Sequence, residues 1–215
     1  MTIEEVLSKY LPRQAVAVCT RWIIARNIHL KITPVRATKL GDYRPLEKGK
    51  GHRITVNHDL NPYAFLITFT HEVAHLHCFI KYGAYHDPHG REWKQEFRIL
   101  LGEFLGNGIF PSELESVLNR HLTDPPSSSC HDPLLMKALR LYDPPAEVKV
   151  YHLDELPHGS LFRLYGERTR FRFRKGAKNR TRFRCLEVGS GREYMVSGIA
   201  EVLPEDFGED TLAPA

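Results

Sequence analysis

Among the 215 residues, the segment His71-Glu72-Val73-Ala74-His75 holds the side chains best suited to do chemistry. Four-residue spacing on a helix puts two side chains on one face, on consecutive turns, so both imidazoles can reach a single metal ion. Zinc accepts neutral imidazole nitrogens at about 2.0–2.1 Å, and a catalytic zinc site uses three protein ligands and leaves the fourth position to water. A carboxylate directly after the first histidine is placed to take a proton from that water. Histidines buried only for packing have no reason to stand beside an ionisable glutamate, which is costly to bury unpaired. The segment predicts a hydrolytic site with one zinc ion, His71 and His75 as ligands and Glu72 as general base.

His52, His58, His77, His86 and His89 compete for the third ligand position. His77 lies two residues past His75, on another side of the helix, and reads as a surface or supporting residue. Both His86 and His89 follow a turn long enough to fold back. His89-Gly90 directly precedes a helix, whose start would anchor the ligand while glycine allows close packing, and this favours His89. No oxyanion stabiliser can be assigned, because Tyr82 and Tyr85 read as core or surface aromatics.

The helix carrying the two histidines opens at Asn61-Pro62, an N-cap followed by a proline at the first helical position. Phe65, Phe69, Val73, Leu76 and Ile80 then recur at three- and four-residue steps, which predicts an amphipathic helix ending near Gly83. Trp93, Phe97, Leu100 and Phe104 predict a second helix after His89, stopped by Gly106-Asn107-Gly108, and residues 111–120 a third. Upstream, Thr2 with Glu5 forms a capping box, Pro12 opens a helix through Arg26, and residues 28–33 and 53–57 read as strands. Glycine and proline make the segment around residues 41–51 a loop or hairpin connection.

Composition changes at residues 123–133, rich in Pro and Ser, and again at Asp143-Pro144-Pro145. The domain reading is 1–123 for the metal-binding domain, 124–146 for a linker, 147–203 for a basic β-rich domain and 204–215 for an acidic tail. Five short strands are expected in the β-rich part, enough for a small barrel or sandwich. The fold class is α+β.

Between residues 160 and 192, eleven Lys and Arg stand against two Glu, whereas residues 193–215 hold six acids and no Lys or Arg. Arg168, Arg170, Arg172 and Arg174 alternate with Thr169, Phe171 and Phe173, and Arg180, Arg182 and Arg184 alternate with Thr181, Phe183 and Cys185. Alternation at period two sends the arginines to one face and the phenylalanines to the other. With residues 175–179 as the connection, the two strands form a hairpin displaying seven arginines together. Solubility needs interspersed signs rather than one dense cationic face, so a polyanion is the natural partner, and non-sequence-specific nucleic acid is the expected one.

The bulk properties bound the rest. Apolar residues make up 42% and charged residues 26% of the chain, which argues against disorder and against a membrane protein. No apolar run approaches the roughly 18 residues a spanning helix needs. The N-terminus has acidic residues where a secretory signal would be positive, and Cys19, Cys78, Cys130 and Cys185 form no close pairs. A soluble protein in a reducing compartment, cytoplasmic and nucleoid-associated if it binds DNA, is expected.

The order ITVNHDLN, HEVAHL, a span of about a dozen residues, then HGREW resembles the SprT-like metallopeptidases, which include bacterial SprT proteins and the DNA-dependent protease Spartan. The resemblance covers residues 9–104. It implies a zincin-like metallopeptidase domain, zinc held by His71, His75 and His89, Glu72 as catalytic base, and hydrolysis of proteins bound or crosslinked to DNA, as in DNA–protein crosslink repair. One departure stands out: many relatives carry a C-terminal zinc ribbon built on paired C-x-x-C motifs, and this chain has none. Two alternative functions are a non-catalytic nucleic-acid-associated adaptor with a structural zinc site, and a metal-dependent RNase. Glu72 counts against both, because a structural site needs no base and such RNases lack a glutamate at that position.

Overall fold

The structure is a computed structural model, and it describes residues 2–36, 39–46, 50–83, 87–126, 132–144, 150–165 and 171–205. The chain divides into two compact units, Met1–Pro144 and Pro145–Ala215, each with its own hydrophobic core.

Unit 1 begins with α1 (Ile3–Leu7), capped as its sequence demands: Thr2 Oγ1 accepts from Glu5 N–H, and Glu5 Oε2 accepts from Thr2 N–H. There follow α2 (Val16–Ala25), β1 (Ile28–Thr33), β2 (Gly41–Pro45), β3 (His52–Asn57), α3 (Pro62–Tyr82), α4 (Arg91–Gly102), α5 (Ser112–His121) and α6 (Pro133–Arg140). The sheet order is β1-β3-β2, with β1 parallel and β2 antiparallel to the central β3. Gly41–Pro45 is thus an edge strand rather than the turn its glycine and proline suggest. Proline is tolerated there because it stands at the strand's end on the sheet edge.

Asn61 caps α3 by accepting from Tyr63 and Ala64 N–H, and Gly83, at φ +74°, closes it in a region open to glycine. The expected single apolar face is wider than the periodicity implies. Residues 64–70 are buried without a break, and Ile80, counted in the apolar stripe, is exposed. The reason is packing on more than one side. Tyr10 stacks on Phe65, Trp22 packs on Phe69, and the rings of α4 cover His71. A helix apolar nearly all round belongs in a core.

The segment 124–146 is not merely a linker. Asp132 accepts from Leu134 and Leu135 N–H to cap α6, and Leu135 and Leu139 are buried in the core of unit 1. Asn61 Nδ2 donates to Leu139 O at 2.9 Å, and His121 Nδ1 lies 2.8 Å from Asp132 Oδ2. These contacts extend unit 1 to Pro144. Proline and serine density marks the approach to α6 but does not prevent it, because proline suits a helix's first position.

Unit 2 contains β4 (Tyr151–His152), β5 (Leu161–Leu164), β6 (Arg172–Asn179), β7 (Arg182–Glu187), β8 (Glu193–Ser197) and β9 (Glu201–Pro204). They form one antiparallel sheet in the order β4-β9-β5-β6-β7-β8. Its core holds Leu153, Leu156, Phe162, Phe173, Phe183, Cys185 and Val202. The sixth strand, β9, falls largely where the sequence reading ends the domain. Cys19, Cys78 and Cys185 are free and buried, and among the described residues no helix is long and apolar enough to cross a membrane.

Candidate metal centre and basic face

Consecutive turns of α3 bring His71 and His75 together, with Nε2 atoms 3.1 Å apart. A turn at residues 87–90, in which Asp87 accepts from the N–H groups of His89 and Gly90, delivers His89 from the start of α4. Its Nε2 stands 3.4 Å from that of His71, and the three donor atoms lie within 4.8 Å of one another. Tetrahedral ligands at 2.0–2.1 Å from zinc are separated by about 3.3–3.4 Å, so the donor set fits that ion. Burial, and then His75, His89 and His121, hold the His71 imidazole well below its usual pKa. Burial likewise lowers that of His89. Both effects favour neutral rings, the form a metal requires.

Glu72 is buried, and its carboxyl is pushed up to about 8, chiefly by desolvation and then by Asp42. The N–H of Tyr43 donates to it, and Arg36 and Lys39 act in the opposite direction to burial. Strand β2 therefore backs the carboxylate at close range. A Cβ added to Gly41 would lie 2.5 Å from Glu72 Oε1 and 2.8 Å from its Cγ. Arg36 is fixed in turn by Asn57 Oδ1, Thr55 Oγ1 and Leu40 O.

Trp93 forms the floor of the site. It is fully buried, and its ring packs 4.5 Å from His71, 5.4 Å from His75 and 4.9 Å from His89 between centroids. Its Nε1–H has no hydrogen-bond partner among the described residues. The sequence reading counts Trp93 only as an apolar position of α4 and Gly41 only as a turn residue. The signal available for Trp93 is its place four residues after His89, one helical turn on. Gly41 carries no local signal, because its role arises from a strand pairing.

The other histidines fall away from the centre. His77 Nδ1 lies 3.3 Å from Glu96 Oε2, and Lys81 Nζ donates to Glu96 Oε1 at 2.6 Å, which ties α3 to α4. His52 bonds Tyr43 OH at 3.0 Å, and His58 N–H donates to Thr33 O. His86 and Tyr85 lie outside the described residues, and Tyr82 is exposed.

In unit 2, Arg172, Arg174, Arg182 and Arg184 are exposed and alternate with buried Phe173, Lys175, Phe183 and Cys185. Arg168 and Arg170 lie outside the described residues. The hairpin connection differs from expectation. Residues 175–179 continue β6, with a register shift between Lys175 and Lys178, and Asn179 pairs with Arg182. The turn is therefore Arg180-Thr181, and Arg180 takes a positive φ of 56° instead of joining the strand face. Gly176 explains the shift, since a Cβ there would collide with the carbonyl of Arg184; the glycine marks a bulge rather than a turn. Lys175 turns inward, donates to Leu156 O, and lies 4.0 Å from the Phe183 ring centroid.

The face is partly neutralised. Glu205 bridges Arg163 and Arg172 at 2.6 Å each, and Glu193 lies 3.7 Å from Arg184. Among the described residues, Arg174, Arg180 and Arg182 form no ion pair.

No curated protein and no solved structure matches the chain. A family model does match, that of the SprT-like family, over residues 21–104. The matched span runs from the middle of α2 past the end of α4 and takes in all three sheet strands, α3 and His89. Over this span the chain is similar to the SprT-like family.

Proposed function

We propose that the chain is a zinc-dependent peptidase that cleaves proteins held on nucleic acid. The observation that carries this reading is the convergence of three imidazole nitrogens on α3 and at the start of α4, next to a buried glutamate held from behind by β2.

His71, His75 and His89 would hold the ion, which when bound supplies Lewis acidity toward water and a peptide carbonyl. Glu72 accepts the proton of the attacking water and returns it to the leaving amine nitrogen. A carboxyl whose burial moves its pKa toward neutrality suits both directions of transfer. The N–H of Tyr43 and the close backing of Gly41 hold that carboxylate in one orientation. Trp93 closes one side of the histidine cluster with an apolar ring. The exposed arginines of β6 and β7 would keep the enzyme on a phosphate backbone without reading sequence.

The decisive experiment compares wild type and Glu72→Gln, each with zinc content determined, on a DNA-binding protein substrate with and without DNA. Stoichiometric zinc in both, with DNA-stimulated cleavage in wild type alone, is expected. Zinc without cleavage under any condition points to the adaptor, degradation of radiolabelled RNA to the RNase, and absence of zinc removes the reading.

A further inference from the structure

The side of the unit 1 sheet that faces away from α3 has no part in the chemistry proposed above. Strand pairing decides which residues stand on it, because paired residues share a face and neighbours along a strand alternate. Ile32, Val56 and Gly41 are paired across β1, β3 and β2, and Gly41 faces Glu72 and Thr68 of α3. Lys31, Thr55 and Asp42 therefore stand on the opposite side, with His29, Arg53 and Arg44 in the next row there. His29, Lys31, Arg44 and Arg53 are exposed. Arg36 lies over the same side, donating to Thr55 Oγ1 at 3.0 Å and to Asn57 Oδ1 at 2.7 Å.

This side of the sheet is cationic. Residues 28–57 hold seven Lys and Arg against two acids, Asp42 and Glu47. The carboxylate of Asp42 already holds Lys39 at 2.8 Å and Arg44 at 2.9 Å. Glu47 lies outside the described residues together with Lys48, so the undescribed part of this segment adds no net charge. Arg44 stands directly opposite Arg53, an arrangement of like charges that weakens a sheet and that a polyanion would relieve.

The row from His29 to Arg44 crosses three strands, about 10 Å, a length over which one strand of a duplex presents about three phosphates. A protein partner fits less well, because protein interfaces are built around an apolar or aromatic centre and the side chains that these strands place here are polar or charged. Only strand β2 stands between this side and Glu72, whose carboxylate approaches Gly41 from the other. We propose that this sheet face is a second nucleic-acid-binding surface, built into the metal-binding unit itself and holding a phosphate backbone through Lys31, Arg44 and Arg53. A protein carried on that nucleic acid is then brought beside the candidate metal centre. This last step rests on the proposed function; the binding itself needs neither peptidase activity nor the arginines of unit 2.

Fluorescence anisotropy of a mixed-sequence DNA duplex with the full-length protein, across a salt series, tests it. The double variant Lys31→Gln, Arg53→Gln should lose at least about tenfold in affinity at low salt and about two phosphate contacts from the salt slope. Lys31→Arg with Arg53→Lys keeps both charges and should keep the wild-type slope. Arg21→Gln with Lys94→Gln removes the same charge where the side chains pair with Glu103 and Asp124, and should leave the slope near that of wild type. Circular dichroism checks folding, and Lys31→Gln alone, expected to lose about one contact, serves should the double variant misfold. Wild-type slope in the Lys31→Gln, Arg53→Gln protein overturns the inference, and if Arg174→Ala lowers the slope in the same series the proposed function still stands. An equal loss in the Arg21→Gln, Lys94→Gln control also overturns it, as an effect of net charge alone. Polyglutamate binding that the double variant abolishes while DNA binding is unchanged would assign the face to an acidic polypeptide instead. A wild-type protein that binds no DNA removes both this inference and the tethering part of the proposed function, whereas cleavage that fails while DNA binding follows the expected pattern removes the peptidase reading alone.

Discussion

Glu72 at the candidate metal centre carries two predictions, one from the closeness of Gly41 behind it and one from its burial. A methyl group on Gly41 would meet the Glu72 carboxylate at 2.5 Å, so Gly41→Ala must displace one or the other. Displacing a catalytic group by about an ångström costs on the order of a hundredfold in rate. Gly41→Ala should therefore lose that much peptidase activity while retaining stoichiometric zinc, since no ligand lies in its path; full activity would show that the contact does not position Glu72. The second prediction concerns the metal-free protein. Burial raises the Glu72 carboxyl from 4.5 to about 8, so the folded state prefers the protonated form. Its stabilising contribution is complete below pH 4.5 and is lost as pH rises through about 8. Glu72→Gln keeps a neutral side chain at every pH and should be more stable than wild type at pH 8, by on the order of a few kcal/mol, with little difference at pH 4.5. Chemical denaturation of both proteins in chelator at the two values reads this directly, and because the histidines are common to both proteins, their titration cancels. The spacing of His71, Glu72 and His75 was legible because it is local to one helix. Gly41 was not, because its partner stands 31 residues away and meets it only through the pairing of β2 with β3.

At the scale of elements, period-two alternation located β6 and β7 and correctly divided Phe173 and Phe183 from the arginines between them. It could not tell a bulge from a turn. Lys175-Gly-Ala-Lys-Asn179 has turn composition, yet Gly176 answers the carbonyl of Arg184 across the ladder, a long-range contact with no sequence signature. For the same reason Gly41–Pro45 looked like a loop and is an edge strand. The tail also begins later than its composition suggests, because β9 and Glu205 belong to the sheet and its cationic face. Glu205, held below the usual carboxylate range by Arg172 and then Arg163, occupies two guanidinium groups that a phosphate backbone would otherwise contact. Glu205→Gln should raise affinity for duplex DNA at low salt by on the order of tenfold and steepen the salt dependence, whereas Arg174→Ala should flatten that dependence by about one phosphate contact. Fluorescence anisotropy across a salt series separates the two, and unchanged slopes in both variants would mean that this face does not bind DNA.

The whole molecule joins two units with separate cores, and zinc should bind only the first of them. Both tryptophans, Trp22 and Trp93, lie in unit 1, and Trp93 packs on all three histidines. Tryptophan emission therefore reports unit 1 alone, whereas calorimetry reports both. A ligand present at about a thousand times its dissociation constant stabilises the folded state by about 4 kcal/mol, which for a unit of this size corresponds to a rise in Tm on the order of 10 °C. Chelation should accordingly lower the transition seen by tryptophan emission by about that amount and leave a second, calorimetric transition from unit 2 in place. The His71→Ala protein should resemble the chelated wild type and gain nothing from added zinc. A single transition that moves as a whole on chelation would mean that the two cores unfold together. In that case zinc would stabilise the β-sheet of unit 2 as well as unit 1, and the proposed division into a tethering unit and an independent metal-binding one would no longer describe the chain.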